Sequence, residues 1–230
     1  MMTFKEFYLN EENDVTSNPN FVKWFGNSKI VDKEGKPLIV YHGSNNKFST
    51  FNYDNLGTTG RSEGVGFYFT DDKDTANRYG NYLFECYLSI QKPLMYNTKI
   101  FSKNVIVRIL KKIVELEKSE NGIDAEDGFL SNYDDVSYKG VNSVINIAAT
   151  NSVEYNDTVL DMQGELVNIG VKPIIVNKAI NFVTKYDGSI SKGFGNMGNS
   201  NMTIYVPFFP NQIKSVNNNG NFSGSDNIYE

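Results

Sequence analysis

Blocks of alternating apolar residues stand toward both ends of this chain and bracket a stretch with helical spacing. That arrangement restricts the fold more than any other feature. LIVYH (38–42), GVGFYFT (64–70) and YLFECYLSI (82–90) read as strands, as does MTIYVPFF (202–209). Between them, IFSKNVIVRILKKIVELEK (100–118) repeats its apolar residues at three and four, the period of an amphipathic helix. Strands in two groups with helices set apart from them predict an α+β fold: antiparallel strands, flanking helices and one helical insertion at about 100–165.

Punctuation supplies the rest. Asn18-Pro19 opens a short helix, FVKWF, which Gly26 closes. KIVDKEGKPLIVYHG reads as a hairpin turning at Asp32–Gly35. Residues 45–63 are polar and form a loop. Asp71 or Asp72 caps a helix over DKDTANRYG that ends at Gly80. Pro93 stops the strand before it, and Pro207 makes the strand around it an edge or a bulge. VNSVINIAA and DTVLDMQGELVNIG read as helices, and AINFVTKYDGSIS as helix, turn and strand. Residues 193–201 form a Gly/Asn loop. The expected organisation is a tail at 1–19, one domain at 20–216 and a loose Asn/Gly/Ser tail at 217–230.

Composition narrows the chemistry. A net charge of −5 gives no overall attraction to polyanions, although a local basic patch is compatible with it. One His and one Cys, Cys86, exclude a disulfide framework and a transition-metal site of the usual zinc type, so no metal is expected. The apolar runs are too short for a bilayer, so no membrane partner is expected. The 14 Tyr and 16 Phe suit strands and stacking surfaces.

The lone imidazole, His42, ends an apolar strand against Gly43 and Ser44. A glycine lets a ligand approach the backbone closely, and an imidazole beside it can hydrogen-bond a sugar hydroxyl. In GVGFYFT, alternation puts Phe67 and Phe69 on one face and Tyr68 with Gly66 on the other. Tyr79 follows at the end of the next helix, and two tyrosines so placed can sandwich a flat heteroaromatic ring. Taken alone, the same stretch also fits two tyrosines that only pack.

Four ordered blocks carry a resemblance: NFVKWFGNSKIVDKEGKPLIVYHGS, GVGFYFTDDKDTANRYG, KYDGSIS and IYVPFFPNQIKS. Together they resemble the ADP-ribosyltransferase fold, in particular its His-Tyr-Glu class, which includes poly(ADP-ribose) polymerases. They are closer still to the ADP-ribosyltransferase domains of phage and mobile-element polyvalent proteins. The resemblance implies NAD as substrate. His42 would bond a ribose hydroxyl, with Ser44 beside it, and Gly43 would hold the nicotinamide carboxamide. Tyr68 and Tyr79 would stack on the ring. Arg61 is the expected pyrophosphate contact, on the chemistry of guanidinium and phosphate rather than on a motif. The family's acidic residue falls on Ile204, which implies single-unit transfer to an acceptor, a host macromolecule with protein favoured over RNA or DNA. The serine that binds the nicotinamide carbonyl in many polymerase-type members falls on Ala76, or on Thr75 with a one-residue shift. Gln212 reads as structural. MMTFKEFYLNE also resembles the capsid-targeting peptides of internal head proteins in large tailed phages, which are cut after tripeptides like Leu9-Asn10-Glu11. That implies a protein acting in the cytoplasm of a bacterial host and packaged in a virion; the other reading is a polar tail.

Overall fold

The computed structural model describes residues 15–56, 63–133, 136–193 and 202–230. Its strands are β1 (Val40–Ser44), β2 (Phe69–Thr70), β3 (Tyr82–Leu88), β4 (Pro93–Met95), β5 (Gly188–Lys192), β6 (Thr203–Pro207) and β7 (Ile213–Ser215). Its helices are α1 (Pro19–Phe25), α2 (Lys73–Ala76), α3 (Lys103–Asn121), α4 (Val136–Lys139), α5 (Val141–Tyr155), α6 (Val159–Asn168) and α7 (Pro173–Thr184). The fold is α+β, and the chain divides into two compact units. One comprises the chain up to Phe51, Phe69–Gln91 and Pro210–Glu230; the other comprises Asn52–Tyr68 and Lys92–Phe209.

The first unit is built on antiparallel strands in the order β2-β1-β3-β7. The α1 helix starts where the sequence places it: the Asn18 side chain accepts from the backbone N–H groups of Asn20 and Phe21, and Pro19 takes the first turn. Gly26 ends it at φ 55°, donating to the Val22 carbonyl. Phe21 and Phe25 stack with centroids 5.0 Å apart, and Tyr87 and Phe222 meet Phe21 edge-on at 5.1 and 5.0 Å. The turn at 32–35 forms around Asp32, whose carboxylate accepts from the N–H groups of Glu34 and Lys36. The hairpin expected there narrows to one bridge, Val31↔Pro37, because the N–H groups of Ile30 and Lys36 that would extend it donate to the Ser28 hydroxyl and the Asp32 carboxylate instead.

The C-terminal segment differs from the loose tail expected of its composition. Phe222 and Ile228 are buried, and the Ile228 N–H donates to the Ser49 carbonyl. The buried ammonium of Lys214 donates to the carbonyls of Ser225 and Asn227 at 2.9 and 2.7 Å. Asn and Ser make this segment a chain of side-chain-to-backbone turns, as where Asn218 accepts from Gly220 and Ser225 accepts from Asn227.

In the second unit, α3 buries Ile106, Ile109, Leu110 and Ile113, the helical stripe read from the sequence. The helix runs three residues further than that reading and stops at Gly122, φ 69°. Residues of α5, α6 and α7 share its core, among them Ala148, Leu166 and Val176. A reciprocal Thr158–Asp161 capping box opens α6. Pro93 does not end a strand but begins β4, as an edge proline can, and β4 runs parallel to β5 from Pro93↔Gly188. β5 and β6 pair antiparallel from Gly188↔Pro207 to Lys192↔Thr203, so Pro207 is the last residue of its strand. No described helix is long and apolar enough to cross a membrane.

Candidate active site

In the first unit the structure brings together His42, Gly43, Ser44 and Tyr79. β1 is paired along its length with β3, which puts His42 opposite Phe84. On its other edge the ladder with β2 consists of Tyr41↔Thr70. The imidazole is half-buried, not sealed. Phe51 meets it edge-on at 5.0 Å, and Phe69, Phe84 and Phe48 lie 5.4, 6.0 and 6.2 Å away. Sequence reading missed Phe48 and Phe51; the only signal was a pair of phenylalanines in an otherwise polar loop. The Ser44 hydroxyl accepts from the Asn46 N–H at 3.1 Å, so it shapes the turn after the strand.

Two glycines let the following helix lie against the end of β1. A Cβ on Gly43 would fall 1.8 Å from the Ala76 carbonyl oxygen and 3.2 Å from the Tyr79 Cβ. A Cβ on Gly80 would fall 2.0 Å from the Ser44 carbonyl carbon. Both positions therefore exclude a side chain on packing grounds. The contact sets Tyr79 beside Gly43 and leaves the tyrosine 63% exposed, free to meet a ligand. Asp72, one of the two cap candidates, opens the helix by accepting from the Thr75 N–H. Thr75 and Ala76, where the nicotinamide-binding serine would stand, are both buried. Gln212 is buried too and donates to the Ser89 carbonyl at 2.8 Å, a structural bond. Cys86 lies buried in β3, where burial pushes its thiol pKa up and keeps it unreactive.

In the second unit the segment expected as one strand, 64–70, behaves differently. Only Phe69 and Thr70 join a ladder, and they belong to the first unit. Residues 63–68 form a tight loop. Phe67 is buried and Tyr68 half-buried, but Gly66, which alternation sets on the face of Tyr68, is buried as well, as are Gly64 and Val65. The Tyr68 hydroxyl donates back to the Gly64 carbonyl at 2.7 Å. Gly64 adopts φ 116°, and a Cβ on Gly66 would fall 2.5 Å from the Pro207 carbonyl oxygen. Ile204 is half-buried in β6 and pairs with Ser191. The isoleucine side chain offers no hydrogen-bond acceptor there. Arg61 lies outside the described residues. Among the described residues no three metal-ligating side chains cluster.

The family model for ADP-ribosyltransferase in polyvalent proteins matches residues 32–222. The match takes in both glycine-bearing segments and most of the chain, and the protein belongs to this family of ADP-ribosyltransferase domains. No curated protein and no solved structure matches the chain.

Proposed function

We propose that the protein is an NAD-dependent mono-ADP-ribosyltransferase of the His-Tyr-Glu type in which isoleucine stands where the glutamate would. The observation that carries the reading is the family match over a span containing the His42-Gly43-Ser44 strand end, beside which Tyr79 is held exposed. In this reading His42 bonds a ribose hydroxyl and the Gly43 backbone holds the carboxamide. Tyr79 and Tyr68 each offer a ring face to the nicotinamide. Ser44 lies beside the ribose, and Arg61 contacts the pyrophosphate.

The reaction breaks the bond between ribose C1′ and the pyridinium nitrogen. Nicotinamide leaves with the bonding pair, and C1′ passes through an oxocarbenium-like state. An acceptor nucleophile then bonds C1′ and gives up its proton to solvent or to a base on the acceptor. Holding both reactants in line supplies several kcal/mol. Ile204 cannot polarise the nucleophile, and one such lost contact costs a factor of about 10²–10³. Transfer is accordingly slow and stops at one unit. The acceptor is a host macromolecule, protein before nucleic acid.

Ile204 also favours a second reading, an NAD- or ADP-ribose-binding module without chemistry. Etheno-NAD incubated with a bacterial lysate separates the two. Label on protein bands supports transfer to protein, and nuclease-sensitive label moves the acceptor to nucleic acid. NAD binding without label supports the module. The phage reading rests on MMTFKEFYLNE alone, whose residues lie outside those described. N-terminal sequencing of virion-derived protein should begin at Glu12; an intact Met1 would count against packaging.

A further inference from the structure

Gln163 on α6 and Asn177 on α7 are fully buried in the helical core of the second unit. The other buried residues of α6 and α7 are apolar, and an amide in such a place is costly unless its hydrogen bonds are made. Both amides bond one residue of the glycine loop, and Asn177 Nδ2 also donates to the Phe208 carbonyl at 3.5 Å. The Val65 N–H donates to Gln163 Oε1 at 3.0 Å. The Val65 carbonyl accepts from Asn177 Nδ2 at 2.8 Å and from Gln163 Nε2 at 3.4 Å. The amides are joined to each other, Gln163 Nε2 donating to Asn177 Oδ1. Reversing the Gln163 amide would set an NH₂ against the Val65 N–H, so the network fixes its orientation.

The rest of the loop is pinned on either side of that peptide. The Ser189 hydroxyl donates to the Glu63 carbonyl. The Phe67 N–H donates to the Pro207 carbonyl at 3.3 Å. The Tyr68 hydroxyl closes the loop on Gly64. A strand would satisfy these backbone groups through a ladder; this loop has none, and two side chains from neighbouring helices take its place.

We propose that Gln163 and Asn177 are positioning residues which, through the Val65 peptide, set the direction of the Tyr68 ring and so the site's affinity for the nicotinamide end of NAD. The proposal rests on the reading of Tyr68 as a nicotinamide-stacking residue. It separates the two ends of the ligand: a displaced Tyr68 weakens whatever carries the ring and leaves the ADP-ribose end unaffected.

The test is calorimetric titration of the full chain with NAD, with benzamide as a ring-and-carboxamide mimic, and with ADP-ribose, which lacks the ring. Gln163→Met and Asn177→Leu keep volume and remove the amides. Tyr68→Phe, at a half-buried position, removes the hydroxyl that donates to Gly64 and guards against a core variant that fails to fold. The amide variants should bind benzamide and NAD tenfold or more weakly, with ADP-ribose affinity within twofold of wild type. Tyr68→Phe should show a smaller loss in the same direction. Equal loss of benzamide and ADP-ribose would mean general loosening and would overturn the proposal, as would no loss of either. Wild-type protein that binds neither NAD nor benzamide would overturn the functional reading and the proposal together.

Discussion

Gly43→Ala is the most informative single change at the strand end. The new Cβ would stand 1.8 Å from the Ala76 carbonyl oxygen, about 1.6 Å short of an ordinary contact of 3.4 Å. The blocking atom is backbone at the end of α2, so no side-chain rotation relieves the clash. The segment carrying Ala76 and Tyr79 must back away by most of that distance. Overpacking of this kind costs about 1–3 kcal/mol, and a backbone obstacle belongs at the upper end. For a chain of this size that is a fall in Tm of roughly 6–12 °C. Because Tyr79 moves with the segment, NAD affinity should fall as well. Differential scanning fluorimetry and calorimetric titration with NAD read the two effects. Unchanged Tm together with unchanged NAD affinity would refute the claim that close packing on Gly43 positions Tyr79.

Gly164 offers the opposite case: it lies inside α6 with nothing within 4 Å of an added Cβ. Gly164→Ala should stabilise by about 0.5–1 kcal/mol, read as a higher denaturant midpoint. Glu117 is buried in α3, and burial raises its carboxyl pKa above the ordinary 4.5, against a hydrogen bond from the Phe129 N–H that lowers it. The folded state then binds the proton more tightly than the unfolded chain, so this group loses stability as pH rises from about 4.5 through its raised value. Glu117→Gln should therefore raise Tm at pH 7 and make no difference near pH 4, which melts across that range will check. Ile204→Glu should raise the rate of nicotinamide release by about 10²-fold if the position is the catalytic one, measured by chromatography of the NAD reaction.

Local chemistry made some of the fold legible from the residues alone. Asn18-Pro19 and Gly26 mark the ends of α1 because caps are decided by near neighbours. The stripe in α3 is legible because burial of one face dictates its period. What depended on distant partners was not legible. Phe67 and Phe69 are buried on either side of half-buried Tyr68, but a strand also needs a ladder, and at 63–68 the partners are two amides about a hundred residues away. Gln163 and Asn177 look like polar blemishes on helix faces until Val65 is seen against them. Gly43 invited a ligand-based explanation, whereas its tightest neighbour is the Ala76 carbonyl. The order in residues 217–230 is not legible in composition, which records polarity, not whether Asn and Ser side chains fold back on their own backbone.

The central claim is that NAD binds this chain through the strand end bearing its single histidine. Isothermal titration of NAD into the intact protein and into His42→Ala tests it most directly. NAD should bind the wild type one-to-one and the variant at least tenfold more weakly. Absence of binding by the wild type, or equal affinity in both proteins, would contradict it.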